Sequence, residues 1–330
     1  MTHATIDKAR LKAAVDAIRD HEPLDIHQLR LAQQARMAQF RRKLGREIRP
    51  LFAGARFDVG KLDKILARHQ VEQREALEKA NAKTAKAFAR VARDRERGVA
   101  KTERALRQIV GKPFLTTIIP ITTPYLIYAT PIGMLHDSHV EPWNNFAKFA
   151  YTTDRNTGYD TAVVKFFFAW QNPSDFLAVI NCDTNLLING IVEATAEQGW
   201  LTPGSAFVEL WAKLTVYVGS TTINYQGSQQ HQMASVYAEG GYALFGGSGD
   251  IKSENVFGAY NLSCSDIHVD GNQLVVFEVA CRADWWIDGG SIVLAFDFDP
   301  ARRWVACPVL NVELLTEPQG SPGRPPVITN

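Results

Sequence analysis

The sequence predicts an α+β protein: an N-terminal helical arm, an αα-hairpin or coiled-coil-like, followed by an antiparallel β-sandwich or jelly-roll-like head. Three observations carry that expectation. Residues 58–110 lack proline, hold only Gly60 and Gly98 as glycines, and are rich in Ala, Lys, Arg, Glu and Gln, which are strong helix formers. After Gly111 the pattern changes to short β-rich runs punctuated by Pro, Gly and Asn. Charge divides at the same place: residues 1–112 carry 27 Lys and Arg against 14 Asp and Glu, whereas residues 113–330 carry 9 against 21. The expected units are a basic helical arm (1–112), an acidic β head (113–316) and a Pro/Gly-rich tail (317–330) whose composition marks it as disordered.

The helices follow in order. Residues 4–20 place Leu11, Val15 and Ile18 at i, i+4 and i+7, one amphipathic face, and His21-Glu22-Pro23 ends that helix. A second helix is expected from Asp25 to Arg49, with Ile26, Leu29, Met37, Phe40, Leu44 and Ile48 as its apolar face. Beside that face lies a basic patch of Arg41, Arg42, Lys43, Arg46 and Arg49. Pro50 and Gly54 open a turn into the long helix, which would run about 80 Å at 1.5 Å per residue. Its apolar stripe is narrow, suited to a coiled-coil seam or a hairpin, and supplies the candidate oligomerisation residues Leu62, Ile65, Leu66, Leu77, Phe88, Val91, Leu106 and Ile109.

Strands are expected at Phe114–Ile119, Tyr125–Tyr128, Ala162–Trp170, Phe176–Asn181 and Leu186–Ala194. Ala162–Trp170 is apolar on both faces, as in a central strand between two layers. Phe207–Val218 shows the period-2 alternation of a half-buried antiparallel strand with one side to solvent: Val208, Leu210, Ala212, Leu214, Val216 and Val218 face one way, and Glu209, Trp211, Lys213, Thr215 and Tyr217 the other. Asp270-Gly271 between two apolar runs reads as a hairpin turn. Residues 292–298 alternate again, and Pro308 marks an edge or bulge in the last strand.

Chemical motifs are few. The Gly246-Gly247-Ser248-Gly249-Asp250 run lacks the lysine of a phosphate-binding loop and the final glycine of a nucleophile elbow. His136 and His139 have a metal-compatible spacing, but no zinc-type cysteine pair or calcium loop accompanies them. Asp297 and Asp299 share one face of a strand, which alternation explains as a solvated outer face. No catalytic residue, metal site or cofactor is therefore expected. The interval 221–253 is rich in Gly, Ser, Gln and Tyr and is expected to be a recognition loop. With the neighbouring indoles it supplies the candidate ligand-binding residues Tyr225, His231, Tyr237, Tyr242, Trp285 and Trp286, one indole in the core and the other exposed.

No apolar run of 18 residues and no apolar signal region at the N-terminus occur, so neither an ordinary transmembrane helix nor Sec-type secretion is expected. That leaves a cytoplasmic place or a signal-independent export route. Cys182, Cys264, Cys281 and Cys307 lie far apart and read as buried free thiols. The leading expectation is a non-enzymatic, self-assembling structural or binding protein, a homo-oligomer through arm–arm or arm–head contacts. The alternatives are a nucleic-acid binder using the basic arm, and a pore-forming, membrane-binding protein.

Overall fold

A computed structural model describes residues 6–19, 43, 45–47, 64, 65 and 68 and, between 115 and 316, all residues except 132, 154–156, 200–202, 220–223, 242–246 and 298–303. The first element is helix α1 (Lys8–Ile18). Asp7 caps it, its Oδ1 accepting from the Ala9 amide at 2.9 Å and satisfying one of the donors a helix start leaves open. Leu11, Ala14, Val15 and Ile18 recur at helical spacing, and all four are buried.

The described chain then builds two antiparallel sheets. Sheet A contains β1 (Leu115–Ile121), β3 (Leu135–His139), β4 (Phe146–Thr152), β6 (Ala178–Ala196), β9 (Asp250–Val269), β11 (Gly290–Phe296), β12 (Trp304–Ala306) and β13 (Leu310–Thr316). The long β6 is its spine. β9 follows one edge of β6 along its length. The other edge takes β11, β12 and β13 end to end, as one strand interrupted at 297–303 and 307–309. Pro308 sits in the second interruption, where it has no ladder partner to deprive. β4 flanks β11 and β12, β1 flanks β13, and β3 flanks β4. Sheet B runs β2 (Leu126–Thr130), β5 (Thr157–Gln171), β10 (Leu274–Asp288), β7 (Ser205–Gly219) and β8 (Asn224–Glu239).

Alternation along the strands fills the space between the sheets. Phe166 and Phe168 of β5, Val208 to Val218 of β7, and Phe277 and Trp285 of β10 meet Ile180, Ile188 and Val192 of β6 and Phe296 of β11 in one core. Gly190 of β6 faces that core, and a Cβ there would lie 2.0 Å from the Phe296 ring. The ring stacks on Phe149 at 4.7 Å, so glycine is what lets the aromatic pair lie flat on the spine.

The expectation of an α+β protein with an N-terminal helical arm is corrected. The described structure is predominantly β, and α1 packs against the sandwich. It lies on the outer face of sheet B, where its stripe packs on Phe167, Tyr217, Leu274 and Val276. The physical reason is that sheet B is apolar at that end on both faces, and a short amphipathic helix has just the width to cover it. Each fully buried aliphatic side chain there contributes about 1.5–3 kcal/mol. Beyond α1, the described residues before 115 (43, 45–47, 64, 65 and 68) all have helical backbone, and the Arg68 guanidinium is paired to the Glu47 carboxylate.

Two further expectations change. The polar side of β7 is not solvated: Lys213, Thr215 and Tyr217 are buried. Every residue of β10 is buried as well, so the centre of sheet B is covered on both faces. Asp270-Gly271 is a turn but not a hairpin, because β9 pairs with β6 in sheet A while β10 pairs with β5 and β7 in sheet B. The turn carries the chain between layers. Gly271 presses on the backbone of Asp175, where a Cβ would approach to 2.3 Å. Asn272, at φ 60°, donates its amide to the Ser174 carbonyl at 3.0 Å. Asn172, buried, donates its Nδ2 to the Phe176 carbonyl at 2.7 Å, locking the other crossover turn against this one.

Candidate functional site

The residues singled out in the sequence fall in several places. Of the candidate oligomerisation stripe, Ile65 is described, half-buried on helical backbone; Leu62, Leu66, Leu77, Phe88, Val91, Leu106 and Ile109 lie outside the described residues. In the basic patch Lys43 and Arg46 are exposed, and Arg41, Arg42 and Arg49 lie outside the described residues, as do Tyr242 and Asp299. The interval expected to be a recognition loop is largely strand: β8 occupies 224–239 and β9 begins at 250. Tyr237 and Trp286 come together, 6.4 Å between ring centroids, with Phe207 beside both. Tyr225 stands at the far end of β8 against Tyr217, and His231 is exposed between them. Trp285 and Trp286 point to opposite faces as alternation requires, yet both are buried, because the outer face of sheet B is itself covered.

Groups with chemical potential are held in local pairs. His136 Nδ1 lies 2.6 Å from Asp297 Oδ2 and His139 Nε2 lies 3.1 Å from Glu141, so the two imidazoles serve different carboxylates. Among the described residues no three His, Cys, Asp or Glu side chains form a metal-sized group. On the outer face of sheet B, Arg282 Nε meets both oxygens of Asp284 at 2.9 and 3.0 Å, and Asp284 also accepts from Thr161 Oγ1 at 2.7 Å. Cys182 and Cys264 stand directly opposite on β6 and β9. The hydrogen bond between them pushes the Cys182 thiol up, helped by burial, and holds Cys264 below the ordinary thiol value.

The outer face of sheet A is open, and register shows how it is built. One cross-strand row runs Ala259–Leu187–Ala306–Phe146, the next Phe257–Asn189–Trp304, and the next Asn255–Ile191–Ala295–Ala150. The three rows form a largely apolar band across β9, β6, β12 or β11, and β4, broken by Asn189, Asn255 and Lys148, which lies between Phe146 and Ala150 on the outward side of β4. Phe257 is 80% exposed at its β9 end. None of these positions was singled out in the sequence. The available signal was that Val256 faces the core, which forces its neighbour Phe257 outward.

At the β4 end the band deepens into a cleft of about 350 Å³, lined by Trp143, Asn145, Phe146, Lys148, Leu187 and Trp304 among others. Trp143 is 59% exposed and takes φ 67°, a left-handed conformation that is unusual for a bulky residue. Its amide is held by the Thr122 carbonyl at 3.1 Å. Asn145 anchors the floor: its Nδ2 donates to the Thr122 carbonyl at 2.7 Å and lies 3.3 Å from the carbonyls of Cys307 and Pro308. Lys148 Nζ lies 5.9 Å from the centroid of the Phe146 ring.

The edges of the two sheets beside this face are closed by side chains. Glu254 accepts from the Ser235 amide at 3.4 Å, Asp250 from the Glu239 amide at 3.3 Å, and Gln229 from the Ser263 amide, so side chains of β8 and β9 satisfy these three backbone amides across the gap between the sheets.

No family model matches this chain, and no curated protein does. Among solved structures it is similar to TmCBM61 in complex with β-1,4-galactotriose, at 10% identity and a TM-score of 0.17, covering 55% of this chain and 87% of that one. It is also similar to a structure of infectious bursal disease virus, Gx strain, at 12% identity and a TM-score of 0.17, covering 62% of this chain and 41% of that one. At such TM-scores neither likeness carries an argument about function.

Proposed function

We propose that this chain is a non-enzymatic structural or binding protein that associates with copies of itself through the outer face of sheet A. The observation that carries this reading is the apolar band spanning three cross-strand rows, with Phe257 80% exposed. Covering such a surface favours association. Side chains that cap amides along the facing edges of β8 and β9 disfavour edge-to-edge strand pairing there. The opposite charge of residues 1–112 and 113–330 supports contact between copies, since complementary fields steer encounter. The histidines, carboxylates and buried charges described above serve local pairing, which fits a protein that binds and does not catalyse.

No helix among the described residues is long and apolar enough to cross a membrane. Neither the described structure nor the comparisons support the nucleic-acid or membrane alternatives.

Light scattering on the full-length protein at low and high salt tests the reading. The expected result is a defined multimer that Phe257→Asp dissociates. A wild-type monomer under both conditions, or a multimer that Phe257→Asp leaves intact, rejects it. Because Phe257 projects into solvent, its substitution leaves the sandwich folded.

A further inference from the structure

We propose that Cys182 and Cys264 are a dithiol that closes reversibly to a disulfide, stapling β9 to the spine strand β6. The two residues are direct partners in the antiparallel ladder. Such partners lie about 4.5–5.5 Å apart between Cα atoms, inside the roughly 4.4–6.8 Å span of a disulfide. Their side chains share one face of the sheet: Cys182 belongs to the buried core and Cys264 packs against it. The pairing depends on a bulge. Ile180 pairs with Ile267 whereas Cys182 pairs with Cys264, so β9 advances three residues while β6 advances two. In an unbroken register Ser265 would stand opposite Cys182. The bulge is fixed by local bonding: Asp266 takes φ 58°, and its amide donates to Asn181 Oδ1 at 3.1 Å. A bulge re-aims the side chains beside it, and this one brings the second thiol to the first.

The two sulfurs have unequal roles. Cys182 is buried, and Cys264 is half-buried at the seam where β9 faces β8, so an outside reagent reaches Cys264. Hydrogen bonds from the Cys182 thiol and the Gln229 amide support the Cys264 thiolate. The oxidant is a small disulfide of the glutathione class. Cys264 thiolate attacks one of its sulfurs, and one glutathione thiolate leaves. The Cys182 sulfur then attacks the Cys264 sulfur of the mixed disulfide and displaces the second glutathione. The two thiol protons end on the two departing thiolates. Two protein thiols are oxidised to one disulfide, and two electrons reduce the small disulfide to two thiols. The other cysteines are placed differently. Cys281 lies opposite Val164 and Ala212, Cys307 is hydrogen-bonded to Thr184, and burial raises both thiols, so neither competes.

The test incubates folded full-length protein in glutathione buffers of graded oxidised-to-reduced ratio, quenches with acid, alkylates the remaining thiols after unfolding and maps the peptides by mass spectrometry. The expected result is a Cys182–Cys264 cross-link that dithiothreitol reverses, with Cys281 and Cys307 still alkylated. The oxidised protein should melt about 5 °C or more above the reduced one, since the bond restricts the unfolded chain between the two strands. Cys182→Ser should stop the reaction at a mixed disulfide on Cys264, and Cys264→Ser should leave Cys182 unmodified. The wild-type map stands without either variant. Both thiols free in fully oxidised glutathione, a mixed disulfide that does not advance in the wild type, or a cross-link through Cys281 or Cys307 overturns the proposal. An oxidised form no more stable than the reduced one overturns the staple. Phe257→Asp should form the same cross-link, so loss of self-association and loss of the disulfide are separable results.

Discussion

Lys165 Nζ donates a 2.9 Å hydrogen bond to the backbone carbonyl of Arg19, the residue that closes helix α1. The same ammonium lies 3.4 Å from Glu278, and both side chains are almost wholly buried. A lysine in the middle of β5 thus joins the last turn of the helix to the central strand of sheet B. A cation at a helix C-terminus is favoured by the partial negative charge of the terminal carbonyls. Arg10, nearer the helix start, reaches the Asn272 carbonyl at 3.3 Å, so the helix is pinned at both ends of its buried stripe.

Lys165→Met removes the cation from that buried pair and is expected to cost about 3–5 kcal/mol. The double variant Lys165→Met with Glu278→Leu should recover most of the loss, since replacing a buried pair with apolar side chains of similar size is often neutral. Urea unfolding midpoints give both values. Hydrogen exchange should show faster exchange of α1 amides in the double variant, because the bond to Arg19 is gone. Equal stability loss in the single and double variants would count against this account.

Gly190→Ala places a methyl group in the space of the Phe296 ring, which cannot swing aside while stacked on Phe149. The expected cost is about 1–3 kcal/mol. Adding Phe296→Leu should restore part of it by opening that space. Thermal unfolding of the two variants checks the pair, and a neutral Gly190→Ala would contradict the packing described.

The four thiols should differ in reactivity. Cys264 is half-buried and held below the ordinary thiol value by its hydrogen bond with Cys182. It should be alkylated first by iodoacetamide near pH 8, and Cys182→Ala should slow that reaction. Mass spectrometry of the labelled peptides reads both results.

Alkaline stability follows from a second thiol. Burial pushes Cys307 from 9.0 up to about 12, tempered by a hydrogen bond with Thr184 at 3.2 Å. Its folded value exceeds its unfolded one, so its contribution is fully present below pH 9. Above that the unfolded chain releases the proton first, and stability falls by about 1.4 kcal/mol per pH unit until the folded thiol titrates. Burial raises Cys281 in the same direction. Cys307→Ala should flatten the fall between about pH 9 and 12 in pH-dependent urea melts.

Local pattern in the sequence determined a good deal. The spacing of Leu11, Val15 and Ile18 marks α1, and the alternation of Val208 to Val218 marks the core face of β7. The turn at Asp270-Gly271 and the break at Pro308 also lie where residue chemistry puts them. Periodicity shows which face of an element is apolar. It does not show what will cover that face, and so α1 read as part of an arm although it lies on sheet B. For the same reason the polar side of β7 read as solvated and one of the two adjacent indoles as exposed. Lys165, a single charge within an apolar run, was the available sign that the outer face of sheet B is buried.

Tertiary structure alone decided which strands share a sheet. A four-residue turn (270–273) fits a hairpin or a crossover equally well, and only the pairing of β9 with β6 and of β10 with β5 and β7 selects the crossover. The candidate site has the same origin. Trp143, Leu187 and Trp304 are scattered along the chain and meet because β12 pairs with both β4 and β6. Such register is fixed by long-range hydrogen bonding and core filling, which no local window of residues encodes.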